Sequence, residues 1–263
     1  MVPIRTFVQN GYNQDVVSFN NVAVRFGDST ALELNHFELK AGELVAVMGP
    51  NGAGKTTLLQ LVAQLLQPTQ GEMVDPPALV AYVRQHPEHH SWMPMTAREV
   101  VNAGRYHHTG LLRRFRSSDH DLVAAATARL DVQTMLDRPF RELSGGQRQR
   151  VLIASALATD APCLLLDEPI SGLDIPSQEI ITSVAQEERS RGRLVIMTTH
   201  HFEEAQVCDR VILLSGEVIA DGTPQAVLRA GPLADTFGHR LLQLDEDSNV
   251  GSVLVDDHGH VHG

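Results

Sequence analysis

Lysine, cysteine and long apolar runs are all scarce in this sequence. Only two of its 21 basic residues, Lys40 and Lys55, are lysines, so a retained lysine indicates a position where a compact point charge is useful. No apolar run approaches the roughly eighteen residues of a membrane span, and residues 1–14 lack the apolar core of a signal peptide. We therefore expect any work at a membrane to depend on a partner.

The shortage of cysteine and of positive charge narrows the function classes further. Cys163 and Cys208 lie in apolar segments, which predicts buried thiols rather than a disulfide and favours the cytosol. The formal net charge of −11 argues against nucleic acid or anionic lipid as a general binding partner. The chain has 263 residues, 43% of them hydrophobic, which is enough for one large domain or for a domain with a subdomain.

The strongest motif begins at Gly49 and fits the phosphate-binding pattern G-x-x-x-x-G-K-[ST] at every fixed position. It follows an apolar run, Glu43 to Met48, that predicts a buried strand, and it precedes leucines at helical spacing from Thr57 to Leu66. Glycines allow backbone amides to turn towards a polyphosphate, and the positive end of the next helix adds to the field. We therefore predict that this loop binds a nucleotide. Its residues are Gly49, Pro50, Asn51, Gly52, Ala53, Gly54, Lys55, Thr56 and Thr57.

Three side chains of the loop have separate predicted roles. Lys55 would reach the β- and γ-phosphates, and the Thr56 hydroxyl would hold Mg²⁺. Thr57 would donate a hydrogen bond to the α-phosphate. The alternative, a glycine-rich turn with a chance lysine, is disfavoured because the rest of the chain so consistently uses arginine.

A second anion site is predicted at residues 143–150, Leu-Ser-Gly-Gly-Gln-Arg-Gln-Arg. Ser144 and Gln147 fit the S-x-x-Q capping box, so Ser144 is expected to cap the helix that follows. A helix start that carries Gly145, Gly146 and a free hydroxyl favours an anion. One nucleotide cannot obviously use both this helix and the glycine loop, so each site is expected to serve a different molecule.

Two carboxylates end the apolar run from Ala161 to Glu168. Asp167 is placed to bind Mg²⁺ through its water shell, and Glu168 is placed to orient or deprotonate an attacking water. An Asp-Glu pair can also simply begin a turn, but after a phosphate loop the functional interpretation is favoured. His200 and His201 follow another apolar strand, where either could contact a γ-phosphate, and chemistry alone does not choose between them.

Residues outside these motifs predict further parts of a nucleotide site. Phe26 lies in a turn between two alternating segments and could stack on a nucleobase, although a lone Phe beside Gly is more typical of a core. Gln85 directly follows a predicted buried strand. Asp174 ends a tight turn that begins at Ser171, and Pro176 suits the first turn of the helix after it.

Periodicity and capping signals predict the remaining elements. The basic run at residues 113–116 contains three arginines and one phenylalanine, and it is expected to form either a solvated face or a contact with a partner. The acidic, histidine-bearing tail could bind a divalent metal but is more typical of a flexible segment. The predicted strands span residues 16–24, 31–39, 78–83, 161–168, 194–198, 211–214 and 217–220. One predicted helix begins at residue 96, and the others span residues 119–130, 145–158, 176–189 and 224–229.

In order and spacing these motifs resemble the ATP-binding-cassette (ABC) ATPases, and the Leu-Ser-Gly-Gly-Gln stretch makes the resemblance specific. It implies one ABC ATPase domain over residues 16–240, followed by a tail at 241–263. The implied fold is α/β, a P-loop NTPase (RecA-like) core with an N-terminal antiparallel β subdomain and an inserted α-helical subdomain at about 90–150. In this family two cassettes pair head to tail, and the signature stretch of one completes the nucleotide site of the other.

The resemblance also implies cofactors, ATP and Mg²⁺, and a role for each matching residue. Phe26 would stack on adenine, and Asp174 would link the two nucleotide sites of the dimer. Glu168 and His200 would be catalytic. The family usually has Asp after that histidine, whereas this chain has His201, which supports His200 as the active member. Mg²⁺ would contact Thr56, Gln85 and Asp167, and the nucleotide of the second cassette would contact Ser144, Gly145, Gly146 and Gln147.

A narrower resemblance concerns the transported substrate. Residues 100–106, 110–114, 137–140 and 233–238, with the tail, are similar to the ATPase subunits of manganese and zinc importers. Siderophore, haem and cobalamin importer ATPases share residues 104–105 and stay an alternative. Such importers imply two transmembrane permease subunits, an extracytoplasmic substrate-binding protein, and a position at the cytoplasmic face of the membrane, with no nucleic acid bound.

Two other classes of function are compatible with parts of the sequence. A soluble, non-transport ABC ATPase acting on ribosomes or chromosomes usually has two cassettes or a long coiled-coil insertion in one chain, and the acidic balance also disfavours it. A metal-buffering module would use mainly the histidine-bearing tail. ATPase activity that does not depend on the tail would argue against that second class.

Overall fold

Two β-sheets form the framework of the chain in the computed structural model, which describes residues 16–85, 95–110 and 114–229 with Gly231, Leu233 and Thr236. The strands are β1 (Val16–Phe26), β2 (Ser29–Lys40), β3 (Leu44–Met48), β4 (Gln70–Val74), β5 (Val80–Val83), β6 (Cys163–Asp167), β7 (Leu194–Thr198), β8 (Arg210–Leu214) and β9 (Val218–Gly222). The helices are α1 (Lys55–Val62), α2 (Ala97–Ala103), α3 (Tyr106–Thr109), α4 (Ser117–Arg129), α5 (Gly145–Ala158), α6 (Ile175–Ser190), α7 (Phe202–Gln206) and α8 (Pro224–Val227).

The larger sheet is mostly parallel and the smaller one is antiparallel. The larger sheet has the strand order β5-β6-β7-β3-β8-β9, in which only the β8–β9 pair is antiparallel. Every residue of β3, β6 and β7 is buried, as expected for continuous apolar strands covered on both faces. The smaller sheet, in the order β2-β1-β4, confirms the predicted N-terminal antiparallel unit of an α/β fold.

Two apolar cores lie on opposite faces of the larger sheet. Val45 and Val47 of β3 face a core that is shared with the smaller sheet and α1. Leu44, Ala46 and Met48 of the same strand face a core that is shared with α2, α4, α5 and α6. This alternation is the two-residue period of a strand, so one apolar run supplies both cores.

Parallel pairing brings the predicted functional segments to one edge. Strands β3, β6 and β7 are adjacent and parallel, so their carboxyl ends point the same way. Gly49 follows β3, Asp167 ends β6, and His200 follows β7. Ligands of open α/β sheets bind beyond the carboxyl ends of the strands, so this edge is the expected position of a site.

Most predicted strands and helices are present with small shifts at their ends, but three differences are larger. Helix α1 ends at Val62 rather than Leu66, because Gln64 has a φ of 54° that an α-helix cannot continue. Strand β4 lies where we predicted only the end of a segment at Gln67–Gly71. Its residues are mostly exposed, so no apolar alternation marked it. The short helices α3 and α7 were also not predicted.

The cysteines and the membrane-span criterion agree with the sequence-based expectations. Cys163 and Cys208 are buried free thiols, as predicted. Within the described ranges no helix is long and apolar enough to cross a membrane. Other predicted features lie outside the described residues, namely residues 1–14, the loop at 86–94, Arg113 and the tail at 241–263.

A buried ion pair joins the helices that lie between β5 and β6. Arg105 Nη2 lies 2.7 Å from Asp119 Oδ1, and both side chains are almost completely buried. Arg105 Nη1 also donates to the carbonyl oxygen of Ala158 at 2.9 Å. A Cβ at Gly104 would lie only 2.0 Å from the carbonyl oxygen of Ser155, so glycine is needed for this close approach. These contacts hold α3, α4 and the end of α5 together.

A second charged cluster joins α4, α6 and the start of β7. The Glu188 side chain is fully buried and accepts hydrogen bonds from Arg129 Nη1 and Arg193 Nη1, each at 2.6 Å. Arg129 Nε also donates to Glu187 Oε2 at 2.7 Å. A buried carboxylate is costly unless it is paired in this way, so the cluster ties the helical segment to the sheet core.

Glu188→Ala is expected to lower the free energy of unfolding by about 3 kcal/mol, because breaking a buried ion pair leaves buried arginines uncompensated. Urea unfolding followed by circular dichroism measures the change. Glu179→Ala is the matched control, since Glu179 is an exposed residue of the same helix, and it should stay within about 0.5 kcal/mol of wild type. Equal stability of the two variants would contradict the structural role of the cluster.

Candidate functional site

The glycine loop between β3 and α1 has a conformation that only glycine tolerates at two positions. Gly49 has a φ of 156°, and a Cβ there would lie 2.2 Å from the carbonyl oxygen of Leu214. Gly54 has a φ of 94°, and a Cβ there would lie 2.7 Å from the carbonyl oxygen of Ala31. The loop is thus wedged between β2 and the end of β8, which fixes its shape before any ligand binds.

Lys55 is the first residue of α1 and points back over this loop. Its Nζ donates to the carbonyl oxygens of Gly49 at 2.7 Å and Pro50 at 3.1 Å. Burial lowers the pKa of Lys55, while the charges of Glu168 and Asp167 act in the opposite direction. A partly desolvated ammonium that contacts two loop carbonyl oxygens suits a polyphosphate.

Asp167, at the end of β6, accepts hydrogen bonds from three hydroxyl groups. Thr56 Oγ1 and the Tyr82 hydroxyl each donate to Oδ2 at 3.2 Å. Thr198 Oγ1 donates to Oδ1 at 2.7 Å. Thr56 and Asp167 were predicted from their motifs as parts of one site, but Tyr82 and Thr198 belong to no motif and lie within strands, so they were not predicted.

The oxygen atoms around Asp167 fit the chemistry of Mg²⁺. Thr56 supplies a hydroxyl and Asp167 a carboxylate, and Mg²⁺ prefers hard oxygen ligands of this kind. Among the described residues, no group of three or more His, Cys, Asp or Glu side chains is arranged to hold a metal ion. A cation here would therefore need phosphate and water oxygens as well, which is typical of Mg²⁺ bound with a nucleotide.

Glu168 lies beside Gln85 and His200. Gln85 Nε2 donates to Glu168 Oε2 at 2.5 Å, and His200 Nδ1 lies 3.9 Å from the same oxygen. The Glu168 backbone has a φ of 47°, which is uncommon for a residue other than glycine. Its N–H donates to Thr198 Oγ1 at 2.8 Å. Three residues that were predicted separately thus form one cluster.

The two adjacent histidines occupy different positions. His200 has the contact with Glu168, whereas His201 precedes α7 and its backbone N–H donates to Thr199 Oγ1 at 2.9 Å. The two imidazole rings lie 4.1 Å apart between centroids. His200 is therefore the one placed at the carboxylate, and His201 packs against it.

The signature stretch forms the predicted capping box. Gln147 N–H donates to Ser144 Oγ at 3.3 Å, and Ser144 N–H donates to Gln147 Oε1 at 3.0 Å. A Cβ at Gly146 would lie 2.8 Å from Asp174 Oδ1, so the first turn of α5 touches the start of α6. A hydrogen bond with Ser177 lowers the pKa of Asp174, which keeps that carboxyl ionised.

The signature stretch and the glycine loop are separate in this chain. No hydrogen bond or ion pair between described residues joins residues 144–147 to the glycine loop, Asp167 or Glu168. Ser144 and Gly145 are exposed. Phe26, at the end of β1, is 57% exposed and so does not pack in the core. Both features leave surface open to another molecule.

Comparison with known proteins identifies similar chains. The sequence model of the ABC transporter family matches residues 32–171. The chain is 41% identical over 232 residues to the hemin import ATP-binding protein HmuV of Nocardia farcinica, covering 83% of this chain and 79% of that protein. It is 32% identical over 247 residues to the manganese transport system ATP-binding protein MntB of Halalkalibacterium halodurans, covering 91% and 99%.

Two further similarities have comparable coverage. The chain is 35% identical over 227 residues to the zinc import ATP-binding protein ZnuC of Cereibacter sphaeroides, covering 85% of this chain and 89% of that protein. Among solved structures, it is similar to a transporter described as of the metal-chelate ABC type, in an inward-facing conformation. That match has a TM-score of 0.73 and 28% identity, and covers 86% of this chain and 89% of the other.

Lys55→Ala is expected to weaken ATP binding by about 10- to 100-fold, because a charged hydrogen bond contributes about 1.5–3 kcal/mol. Titration with a fluorescent ATP analogue measures the dissociation constant. Lys40→Ala removes the other lysine of the chain, which is exposed at the end of β2, and should bind as wild type does. If the two variants bind equally well, Lys55 is not the phosphate ligand.

Proposed function

This chain belongs to the ABC transporter family as an ATP-binding and ATP-hydrolysing subunit, and from that membership we propose that it powers import of a divalent metal ion, manganese or zinc. The observation that carries the substrate proposal is the similarity to manganese and zinc import ATP-binding proteins over most of their length. Subunits of this family act with transmembrane permease subunits, which supply the membrane path that this chain lacks in its described part.

The glycine loop and Lys55 would bind the phosphates of ATP. The loop is held in shape by the close approaches at Gly49 and Gly54, so its amides need no rearrangement when the nucleotide arrives. The ammonium of Lys55 would exchange loop carbonyls for phosphate oxygens. Thr56 and Asp167 would hold Mg²⁺, and Gln85 would lie next to the ion. When bound, Mg²⁺ neutralises phosphate charge. Phe26 would stack its exposed ring on the adenine.

Glu168 would orient and deprotonate the attacking water. Its contacts with Gln85 and His200 would keep the carboxylate at the sheet edge where the glycine loop begins. His200 would donate a hydrogen bond towards the terminal phosphate and hold the water in line. Phosphoryl transfer needs little covalent chemistry from the protein, so these residues would act mainly by position and charge.

Two copies of the chain would pair head to tail. Residues 144–147 form a helix start that suits an anion, yet they have no hydrogen bond to the glycine loop among the described residues. In a head-to-tail homodimer each of these helix starts would contact the ATP of the other copy. Asp174, against Gly146, would connect the two sites.

The proposed assembly extends beyond the ATPase pair. Residues 16–240 would form the ATPase domain, with the helical subdomain at about 90–150 facing two permease subunits and residues 241–263 as the tail. Gln85 would pass the state of the nucleotide site to those subunits, because it contacts Glu168 directly. An extracytoplasmic substrate-binding protein would deliver the metal. The chain would therefore work at the cytoplasmic face of the membrane.

A second candidate substrate is a metal chelate such as haem. The hemin import protein has the highest identity, 41%, of the relatives reported above, and the similar solved transporter is of the metal-chelate type. The ATPase mechanism is the same for both candidates. Only the permease and binding-protein partners would differ, so transport measurements must separate them.

Glu168→Gln is expected to keep ATP binding while the turnover number falls by about 10²- to 10⁴-fold, because a positioned general base contributes about that much. Steady-state phosphate release measures turnover, and light scattering with ATP measures the dimer, which should accumulate. Glu203→Gln, at an exposed carboxylate of α7, is the matched control. Near-normal turnover in Glu168→Gln would overturn the role assigned to this carboxylate.

Uptake of radiolabelled Mn²⁺, Zn²⁺, haem and a ferric siderophore in cells carrying Lys55→Ala tests the substrate. Loss of Mn²⁺ or Zn²⁺ uptake alone is expected, because weakened ATP binding in the variant would impair only its own transporter. Lys40→Ala cells should take up all four normally. Loss of haem or siderophore uptake alone would favour the second candidate and leave the ATPase mechanism intact.

A further inference from the structure

We propose that Thr198 is a positioning residue for ATP hydrolysis, and that its single hydroxyl fixes the Asp167 carboxylate and the Glu168 backbone relative to each other. Tyr82 completes the support of Asp167 from the other side of β6. The inference rests on the proposed function, since it concerns how the metal ligand and the catalytic carboxylate of that function are held.

The direction of both Thr198 hydrogen bonds follows from the donors present. The backbone N–H of Glu168 can only donate, so Thr198 Oγ1 accepts it at 2.8 Å. The one hydroxyl proton of Thr198 is then free to be donated to Asp167 Oδ1, at 2.7 Å. The residue is fully buried, so no water competes for the hydroxyl. One group thus bonds to two consecutive residues at the end of β6.

Strand register explains why Thr198 can reach both residues. Asp167 and Thr198 are paired in the parallel ladder between β6 and β7, each as the last residue of its strand. Beyond this point the chain of Glu168 turns into the left-handed region, with a φ of 47°. That conformation is unfavourable for residues other than glycine, so the backbone of Glu168 needs a contact that holds it there. The Thr198 hydroxyl provides this contact.

Tyr82 supports the other oxygen of the same carboxylate. Its hydroxyl donates to Asp167 Oδ2 at 3.2 Å, and β5, which carries Tyr82, is the neighbour of β6 on the side away from β7. A phenol hydroxyl has a proton to donate, whereas an ionised carboxylate can only accept, so Tyr82 is the donor of this hydrogen bond. Asp167 is therefore held from both flanking strands, and Thr56 completes the set.

If the Thr198 hydroxyl positions Asp167, its removal changes the Mg²⁺ dependence of the protein, an effect that a role in core packing alone would not predict. Groups that orient a metal ligand typically change metal affinity or activity by about 10- to 100-fold when removed. Thr198→Val keeps the shape of the side chain and removes the hydroxyl. It should raise the Mg²⁺ concentration that gives half-maximal ATPase activity, and it should lower the turnover number. The two changes multiplied together should amount to about 10- to 100-fold. Thr198→Ser restores the hydroxyl and should recover most of the loss.

A binding measurement separates positioning from folding. In EDTA, a fluorescent ATP analogue should bind Thr198→Val and Tyr82→Phe with the wild-type dissociation constant. Added Mg²⁺ should strengthen that binding less in both variants than in wild type, and Tyr82→Phe should need about tenfold more Mg²⁺. Thr127→Val and Tyr106→Phe are matched controls from the helical segment, where Thr127 Oγ1 donates to the carbonyl oxygen of Ala124. Both controls should respond to Mg²⁺ as wild type does.

The outcomes that overturn the inference are distinct from failure of the proposed function. If Thr198→Val and Tyr82→Phe respond to Mg²⁺ as their controls do, the positioning role is wrong. If circular dichroism shows that Thr198→Val does not fold, the Mg²⁺ responses of Tyr82→Phe and Thr198→Ser serve as the test instead. An unchanged Mg²⁺ response in Tyr82→Phe then overturns the inference. If the wild-type protein neither binds nor hydrolyses ATP, the proposed function itself fails.

Discussion

The parallel alignment of β3, β6 and β7 is the constraint on which the site depends. Adjacent parallel strands end at one edge of the sheet, so the glycine loop after β3, the carboxylates at the end of β6 and the histidines after β7 converge there. Residues 49, 167 and 200 are far apart in the chain, and no local interaction would bring them together. The buried apolar residues of these strands therefore act on function indirectly, because they set the register that places the polar ends.

Arginine and lysine occupy different parts of the structure, since buried arginines lie in the framework and the buried lysine lies at the site. Arginine serves the framework: Arg105 bonds to Asp119 and to the end of α5, and Arg129 and Arg193 converge on the buried Glu188. A planar guanidinium suits such multidentate contacts. The one buried lysine, Lys55, instead lies over the glycine loop on backbone carbonyls, contacts that a phosphate can replace without breaking an ion pair. The buried lysine and the buried arginines thus make different kinds of contact.

The sequence predicts those parts of the fold that follow from local rules. The glycine loop, the capping box at Ser144 and the buried strands depend on residues a few positions apart, and the structure has all of them. Strand β4 was missed because it is a mostly exposed edge strand with no apolar alternation. Tyr82 and Thr198 were missed for another reason. Their hydrogen bonds to Asp167 span 85 and 31 positions and exist only because β5, β6 and β7 are neighbours in a particular register.

The contact between the starts of α5 and α6 would allow the two nucleotide sites of the proposed dimer to influence each other. Asp174 approaches the first turn of α5 because Gly146 has no side chain to prevent it, and its lowered pKa keeps it negative. In the head-to-tail pair, a phosphate arriving at the same helix start would bring a second negative charge to this place. Repulsion between like charges would then act on Asp174 and, through it, on α6. Because α6 follows the turn that begins after Glu168, occupancy of one nucleotide site would reach Glu168, the proposed catalytic carboxylate of the other site, through a few bonded residues.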